Sequence, residues 1–452
     1  MRYKRIILIT VDCLRASAIG CMGSQNCTKN IDRLANNGIL FQQAIANGPG
    51  TPQSFPAIFT STYPLMHRKI ILSPKYITLA EILTKNGFTC VGFHSNPFLS
   101  AFFGWNKGFE VFNDFFESTE TAIHLLLKLP PPMRTLTSFL KKFLKSQPIA
   151  TPFGELTLKR IATLLLKKLL SERRSRIKQR SMPYMIGEEI NKHIFKCLKE
   201  FKDKKLFLWI HYMDPHSPYI FPKQWLKRFR PDKKGKLNKI RSLYNLEVEY
   251  VDYCIGKLMD FLEDYKFLED AILILTADHG EALGEHGELG HHEYSLYEEL
   301  IHVPLIISGL DLSGKIEYPV GLIDISPTIL DILGIKKPKT FYGKSLIPII
   351  EGGGGSNVVI SESAKINLNN FSYDHKRSIF SYRGERWKLI LDNIKGTKEL
   401  YDLKKDPGER NNLFEEENDL AKNLVRKLTH HILWERKVRM SSILRGRRFY
   451  VS

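Results

Sequence analysis

Three apolar runs along the chain end abruptly in polar clusters, and this pattern constrains the fold more than any other feature. RIILITVD ends at Asp12, KKLFLWIHYMD ends at Asp214 just past its last aromatic residue, and AILILTADHGE carries Asp278 near its end. Continuous apolar runs of this length are typical of parallel strands covered on both faces. Turn chemistry explains any one cluster, but the three together predict a site beyond the carboxyl ends of the strands.

Helical patterns alternate with these strands. TLAEILTKNG begins with a capping box, Thr78 followed three residues later by Glu81, and stops at Gly87. TKNIDRLANNG predicts a helix closed by Gly38, FTCVGFHSN a further strand, and YNLEVEYVDYCIGKLMDFLEDY a longer helix. The alternation predicts a doubly wound, mostly parallel central sheet with helices on both faces.

Chain length and a glycine run predict two parts. The 452 residues suit one large α/β domain with a smaller appendage. EGGGGSN at 351–357 marks a break, after which SIFSYRGERWKLILDN and KELYDLKKDPGERNNL predict two strands and a turn. We therefore expect a large domain over residues 1–350 and a small C-terminal α+β subdomain with a basic helical tail over residues 357–452.

The formal charge of +19 is concentrated in one segment. Residues 128–180 hold fourteen Lys and Arg but only two acidic residues. Lysines at helical intervals among leucines predict a basic helical insertion at about 117–185. Residues 135–180 would suit an anionic membrane surface, and a packed helical hairpin or a dimer contact is an equal alternative. Nucleic acid is not expected, because aromatic residues for base stacking are nearly absent there.

The N-terminal apolar run and the cysteines are the features that indicate the cellular location of the protein. MRYKRIILITVD has no small-residue cleavage site, so it predicts a buried first strand rather than a signal peptide. No stretch approaches the roughly 18 apolar residues of a spanning helix. Six cysteines without a CxxC pair predict buried reduced thiols. We expect a cytoplasmic location, with peripheral attachment to the inner face of the membrane as an extension of it.

Asp12, Asp278 and His279 are candidate metal ligands from two strand ends. A divalent cation held by carboxylate and imidazole groups can neutralise the anionic part of a phosphate or sulfate ester and help to deliver a nucleophile. The Asp/His mixture favours Mn²⁺ or Zn²⁺ over Ca²⁺. The alternative is that Asp278 caps a following helix.

Thr51 follows a Gly-Pro-Gly turn and precedes a helix expected to begin at Pro52 or Ser54. Backbone amides and the helix dipole favour an anion at such a position, where a metal-activated hydroxyl can act as nucleophile. Considered alone, these residues favour a plain N-cap over a nucleophile. Ser54 is the rival nucleophile.

Further polar side chains follow the strand ends or lie in a glycine-rich turn: His211, Asp214, His216, His286, His291 and His292. A second metal bound by Asp214, His216 and His291 is one interpretation. A metal-free set of phosphate-binding imidazoles is the other.

These motifs resemble the sulfatase branch of the alkaline phosphatase superfamily. ILITVDCLRASAIGCMG is similar to the family's opening metal strand, and TKNIDRLANNGILFQQAIA to its next segment. LTADHGEALGEHGELG with YEELIHVPLII resembles the second metal motif, and VGLIDISPTILDILGI, YGKSL and KLILDNIKGTKELYDLKKDPGERNNL resemble C-terminal elements. The resemblance is weakest over 117–185. It implies an alkaline-phosphatase-like fold and a metal-dependent hydrolase of sulfate or phosphate esters.

The resemblance implies a metal set of Asp12, Asp278, His279 and Thr51, with one or two ions of Mn²⁺, Zn²⁺ or Ca²⁺ per chain. Cys13 stands where calcium-binding sulfatases often have a second Asp.

The resemblance also implies substrate contacts. His216, with His211, would hold the anionic group of the ester. His291 or His292 lies where many sulfatases have a substrate-binding lysine, and Ser54 is a further candidate contact.

The largest departure from the family lies at the nucleophile. The usual C/S-x-P-S-R motif is replaced by TPQSF, residues 51–55. Threonine cannot form the formylglycine aldehyde, and Phe55 replaces the arginine. Threonine nucleophiles in the superfamily act on phosphodiesters, phosphonates and membrane-linked phospho-alcohols, so the expected substrate shifts toward a phosphate ester, including one of a glycan or lipid. A phosphotransferase acting on a lipid or glycan acceptor and a non-catalytic binding protein are the alternatives.

Overall fold

Strands buried on both faces form the centre of the molecule. The computed structural model describes residues 3–115, 184–229, 235–354, 358–368 and 370–447. The described residues form fifteen strands: β1 (Arg5–Val11), β2 (Gly38–Ile45), β3 (Thr89–His94), β4 (Val111–Asn113), β5 (Leu206–Tyr212), β6 (Ala271–Ala277), β7 (Ala282–Leu283), β8 (Leu289–Gly290), β9 (His302–Ser308), β10 (Gly314–Ile316), β11 (Val320–Gly321), β12 (Val359–Asn367), β13 (Ser372–Arg383), β14 (Trp387–Asp392) and β15 (Thr397–Asp402). Every residue of β1, β5 and β6 is buried, as the apolar runs predict.

The described residues also form ten helices. They are α1 (Lys29–Asn36), α2 (Thr51–Thr60), α3 (Leu79–Lys85), α4 (Gly187–Leu198), α5 (Lys223–Leu226), α6 (Lys236–Asp264), α7 (Glu298–Ile301), α8 (Ile325–Ile332), α9 (Ile347–Ile350) and α10 (Asn418–Arg447). Helices α1 and α4 contact α6, whereas α2 contacts α3 and α8. The predicted α/β class is confirmed.

The central sheet is mostly parallel. Its strand order is β10-β2-β9-β6-β1-β5-β3-β4, with β11 also paired to β2. Strand β9 runs antiparallel to both of its neighbours, and the other pairs are parallel. Strands β6, β1, β5 and β3 are consecutive and parallel, so their carboxyl ends lie side by side.

Two glycine predictions have different outcomes. The capping box of α3 is present, with Thr78 and Glu81 bonded reciprocally, and Gly87 follows it at φ 82°. The prediction that Gly38 closes α1 is wrong, because α1 ends at Asn36 and Gly38 begins β2. A Cβ at Gly38 would lie 2.5 Å from the Ile307 carbonyl oxygen, so glycine permits the close approach of β9.

A four-stranded antiparallel sheet, β12-β13-β14-β15, follows the glycine run. It is tied to α7, the helix that leads into β9, by ion pairs with Glu298. Lys388 on β14 lies 3.0 Å from Glu298 and 2.7 Å from Glu409, and Arg383 on β13 lies 3.3 Å from Glu298. The boundaries at 1–350 and 357–452 stay a prediction.

The structure tests the expectations about the basic insertion, membrane spans and cysteines only in part. The basic insertion at 117–185, including the membrane contact at 135–180, lies outside the described residues except for its last two positions. In the part of the chain that is described, no helix is long and apolar enough to cross a bilayer. The expectation of buried thiols holds for Cys13, Cys90 and Cys254, but Cys27 is exposed and the other two cysteines are half-buried.

Candidate active site

Four neighbouring strand ends bring polar side chains together. Asp278 follows β6, Asp12 follows β1, His211 lies near the end of β5, and Asn96 follows β3. Asp12 is the common partner: its Oδ2 lies 2.8 Å from Asn96 Nδ2 and 3.2 Å from His211 Nε2. The carboxyl edge of the sheet therefore carries a buried cluster of two carboxylates, an imidazole and an amide, as the strand-end pattern predicts.

Thr51 is the first residue of α2, and its hydroxyl faces this cluster. Its Oγ1 donates to Asp278 Oδ2 at 2.8 Å and lies 3.4 Å from Asp12 Oδ2, while Asn96 Nδ2 donates to Thr51 Oγ1 at 3.2 Å. The plain N-cap interpretation is wrong, because Gly50 holds the N-cap position. The preceding turn needs glycine, since a Cβ at Gly48 would lie 2.3 Å from Gln53 Cβ.

Asp12, Asp278 and His279 converge as a divalent-cation site would require. His279 Nε2 is buried and has no hydrogen-bond partner among the described residues, and it lies 3.4 Å from Asp12 Oδ1 and 3.7 Å from Asp278 Oδ2. His279 Nδ1 lies 2.8 Å from the Gly280 carbonyl, a contact that places the proton on Nδ1 and leaves Nε2 free to bind a metal. Hard oxygen donors and one imidazole fit a divalent cation.

The protonation equilibria show how unfavourable this cluster is without a positive charge. Burial, and then the neighbouring Asp12 carboxylate, raise the pKa of Asp278 to about 7. Burial would also raise the pKa of Asp12, but its hydrogen bond with His211 and the nearby imidazoles hold that pKa well below its usual range. Burial lowers the pKa of His279 to about 4, so its imidazole is neutral at physiological pH.

The interpretation of Asp278 as a helix cap is wrong. The next element after Asp278 is the strand β7 and not a helix.

His211 lies beneath Asp12 rather than in the open part of the site. Its Nε2 faces Asp12, its Nδ1 lies 2.9 Å from Thr10 Oγ1, and its ring is fully buried. Phe55, the residue in place of the family arginine, packs its ring edge-on against His211 at 5.3 Å between centroids. His211 is therefore placed to position the Asp12 carboxylate. The expected contact of His211 with the substrate stays a prediction.

A second polar group lies on the other side of Asp12. Cys13 Sγ lies 3.1 Å from Asp12 Oδ1 and 3.6 Å from His291 Nδ1, and the rings of His216 and His291 are 5.0 Å apart between centroids. His291 Nδ1 donates to Glu281 Oε2 at 2.9 Å. Burial would lower the pKa of His291, but the Glu281 carboxylate raises it to about 9.

The other candidates lie elsewhere. Asp214 accepts from the Gly187 amide at 2.9 Å, and it belongs to none of the clusters of metal-ligating side chains that the described residues form, so the expected set of Asp214, His216 and His291 is not assembled. Ser54 donates to the Gly48 carbonyl at 2.8 Å and supports the turn. His286 stacks on Tyr297 and bonds Glu299, away from Thr51.

A cavity of about 360 Å³ opens onto Thr51. The polar side chains of its wall include Thr51, Asn96, His216, His291 and the exposed His292. Its apolar wall includes Phe98, Tyr184, Met213, Pro218 and Ile366. Of the residues that the structure describes, no Lys or Arg lines this cavity.

Sequence reasoning missed Asn96 and Glu281 and left Cys13 as a mere departure from the family. Asn96 ends the strand FTCVGFHSN in the same way that Asp12 ends β1, so the strand-end signal was present in a fourth strand. Glu281 stands inside the ADHGE cluster, and its signal was its position two residues after His279. The contact between Cys13 and His291 joins segments far apart in the chain and has no local signal.

Two known protein families match this chain. The family described as Sulfatase matches residues 4–335, and the family described as N-sulphoglucosamine sulphohydrolase, C-terminal, matches residues 284–437. Since the first match covers most of the chain, the chain belongs to the sulfatase family.

Individual relatives are more distant. The chain is 29% identical to Arylsulfatase K of Mus musculus over 208 residues, which are 43% of this chain and 36% of that protein. It is 30% identical to Arylsulfatase K of Homo sapiens over 243 residues, 51% of this chain and 43% of that protein. The matched regions thus span less than half the length of these relatives.

Solved structures share the fold along nearly the whole chain. The phosphonate monoester hydrolase of Agrobacterium radiobacter superposes with a TM-score of 0.71 at 19% identity, covering 96% of each chain. A 2-O GAG sulfatase superposes with a TM-score of 0.65 at 18% identity, covering 97% of this chain and 93% of that one.

Proposed function

We propose that this chain hydrolyses sulfate or phosphate esters, with Thr51 as the nucleophile and a divalent cation as cofactor. The observation that carries the proposal is the position of the Thr51 hydroxyl, 2.8 Å from Asp278 Oδ2 at the start of α2 and on the wall of the cavity. Membership of the sulfatase family supports ester hydrolysis. The chemistry of the Asp12, Asp278 and His279 donors supports the cation, with Mn²⁺ or Zn²⁺ favoured over Ca²⁺.

The chain's own groups define the steps. A divalent cation bound by Asp12, Asp278 and His279 would supply positive charge beside the ester's anionic oxygens. Asn96 and Asp12 orient the Thr51 hydroxyl, whose proton leaves along the hydrogen bond to Asp278. Thr51 Oγ forms a bond to sulfur or phosphorus, and the bond to the alcohol oxygen breaks with its electron pair going to that oxygen, which takes a proton from solvent.

A second displacement restores the enzyme. Water forms a bond to the same sulfur or phosphorus atom, and the bond to Thr51 Oγ breaks. Thr51 recovers a proton, the attacking water loses one, and free sulfate or phosphate leaves. His216 and His291 on the cavity wall would face the anionic group during both steps.

The cavity wall bears on the alcohol part of the substrate. Phe98, Met213 and Ile366 offer apolar contact, and the described lining has no Lys or Arg that would pair with a highly charged glycan. The wall therefore favours an alcohol with an aryl or acyl portion. An apolar wall also suits an acceptor alcohol, so the second candidate function is transfer of the group from Thr51 to such an alcohol. Product analysis with an added acceptor alcohol separates transfer from hydrolysis.

The test is turnover of a metal-replete Thr51→Ala variant on a panel of aryl phosphates and aryl sulfates. We expect a loss of kcat of roughly 10³-fold or more, because removing a nucleophile removes the covalent route. Thr60→Ala is the matched control, since Thr60 ends the same helix and bonds the Pro56 carbonyl. Wild-type turnover by Thr51→Ala would overturn the proposal. A wild-type chain that binds the cation but cleaves none of the panel would favour the non-catalytic alternative.

A further inference from the structure

We infer that Cys13, His216 and His291 form a second cation site beside Asp12, one that takes a thiophilic divalent ion such as Zn²⁺ or Co²⁺. Each residue offers one ligand atom, and the three atoms lie within 4.8 Å of one another. The inference extends the proposed function, but its test reads metal binding directly and does not depend on turnover.

The environment of Cys13 is that of a ligand rather than of a packing residue. Its side chain is fully buried, yet its sulfur approaches Asp12 Oδ1 at 3.1 Å, His291 Nδ1 at 3.6 Å and His279 Nδ1 at 4.0 Å. The backbone of Cys13 has φ 60°, a left-handed conformation that is uncommon for a residue with a Cβ. Tyr244 donates to the Cys13 carbonyl at 2.9 Å and supports this turn.

The two histidines are also placed for binding. His216 Nδ1 is buried and has no hydrogen-bond partner in the described part of the chain, although its backbone is held by the Tyr184 hydroxyl, which donates to the His216 carbonyl at 2.7 Å. His291 is oriented by the Glu281 carboxylate, the kind of support that histidine ligands commonly receive. An unpartnered imidazole nitrogen beside a thiol is costly unless a ligand completes the cluster.

The surroundings of these residues are acidic. Three buried carboxylates, Asp12, Asp278 and Glu281, lie around these residues, and no Lys or Arg of the described residues pairs with any of them. One divalent ion at the first site would neutralise Asp12 and Asp278. Glu281 is already paired with His291, so the charge left for the second ion to balance would be that of a Cys13 thiolate.

The donor types decide which ion binds. Thiolate and imidazole are preferred by Zn²⁺ and Co²⁺, whereas Ca²⁺ and Mg²⁺ prefer oxygen ligands. A cysteine at this position thus predicts a centre in which an oxygen-rich site that contains Asp12 lies beside a sulfur-containing site. The expected second-site ligand Asp214 is replaced in this role by Cys13.

The experiment counts ions and detects the sulfur bond. The chelator-stripped chain is titrated with Co²⁺ while bound metal is measured by elemental analysis and thiolate-to-cobalt charge transfer by near-ultraviolet absorption. We expect two Co²⁺ per wild-type chain with a charge-transfer band. Cys13→Ser should bind one Co²⁺ fewer and lose the band, and Cys90→Ser, a buried cysteine on β3, should keep both.

Further variants keep the result interpretable. Cys13→Asp retains a ligand, so it should bind the second ion without the band, which separates ligation from loss of folding. His216→Ala should lose one ion and leave the first. A wild-type stoichiometry of one ion without a band would overturn the second site and leave the proposed function standing, as would a band that survives Cys13→Ser. Binding of no ion by a folded wild-type chain would overturn both.

Discussion

Asn96 bonds both Thr51, the proposed nucleophile, and Asp12, a candidate metal ligand, through one amide group. Its Nδ2 donates to Asp12 Oδ2 at 2.8 Å and to Thr51 Oγ1 at 3.2 Å, so the hydroxyl and the carboxylate are oriented together. We expect Asn96→Ala to lower kcat about 10- to 100-fold, the usual effect of removing a group that orients metal ligands, with little change in KM.

The measurement for Asn96 is steady-state kinetics on an aryl ester with the unfolding midpoint recorded in parallel. Asn86→Ala is the control, because Asn86 Nδ2 bonds the Ile82 carbonyl on α3 and touches none of the site residues. Equal kcat values for the Asn96 variant, the Asn86 variant and the wild type would contradict the positioning role.

At the level of single residues, the sequence predicted part of the site. Asp12, Asp278 and His279 could be proposed because each directly follows an apolar strand, and such positions converge at one sheet edge. The partners of Thr51 could not, because its Oγ1 meets Asp278 only through the folded sheet. The same local sequence was compatible with an N-cap at Thr51, whereas in the structure Gly50 holds the N-cap position and Thr51 Oγ1 bonds Asp278.

The capping box of α3 supports a test on a single element. Glu81 N bonds Thr78 Oγ1 at 3.1 Å, and Thr78 N bonds Glu81 Oε2 at 2.8 Å. Thr78→Ala removes the acceptor of the Glu81 amide and leaves only the backbone half of the pair, so we expect the free energy of unfolding to fall by about 1 kcal/mol, within a range of about 0.5–2 kcal/mol.

Urea denaturation measures the effect of Thr78→Ala, with Thr397→Ala on the exposed start of β15 as the control. The control should stay within about 0.5 kcal/mol of wild type. A Thr78 variant as stable as the control would mean that solvent satisfies the freed Glu81 amide.

Element prediction succeeded where local periodicity decides and failed where distant packing decides. The buried strands β1, β5 and β6 and the long helix α6 follow from patterns within their own segments. The antiparallel direction of β9 depends on which strands it joins, β2 and β6, and no local pattern specifies that. Gly38 was wrongly predicted to end α1. The residue that requires glycine there is Ile307, whose carbonyl lies on β9 and is not visible in the local sequence.

The C-terminal sheet is joined to α7 by a buried lysine, Lys388, a residue type that is usually expected at the surface. Lys388 is fully buried between Glu298 and Glu409. Burial would raise the pKa of Glu298, but Lys388 and Arg383 hold it well below its usual range. We expect Lys388→Met to lower the free energy of unfolding by about 3–5 kcal/mol, because it leaves buried carboxylates without their main partner.

Chemical denaturation measures the loss caused by Lys388→Met. Lys395→Met, in the exposed turn between β14 and β15, should stay within about 0.5 kcal/mol of wild type. If the two variants were equally stable, the buried pairs would contribute little to the junction between the sheets.

Stability of the whole molecule should depend on the cation. A ligand that binds only the folded chain at about 100 times its Kd stabilises it by about 2.7 kcal/mol, and Asp12 and Asp278 are available as ligands only once the sheet has formed. We expect Mn²⁺ or Zn²⁺ to raise Tm and a chelator to lower it, with Asp278→Asn largely losing the response. A Tm independent of metal in a folded wild-type chain would contradict the cation site.

The central claim is that Thr51 carries the transferred group. The most direct measurement is rapid acid quenching during turnover of an aryl ester, followed by intact-mass and peptide mass spectrometry. We predict a chain heavier by one phospho or sulfo group, with the modification mapped to Thr51 and absent from Thr51→Ala. Rapid turnover with no adduct at any quench time, or an adduct that maps to Ser54 instead, would contradict the account.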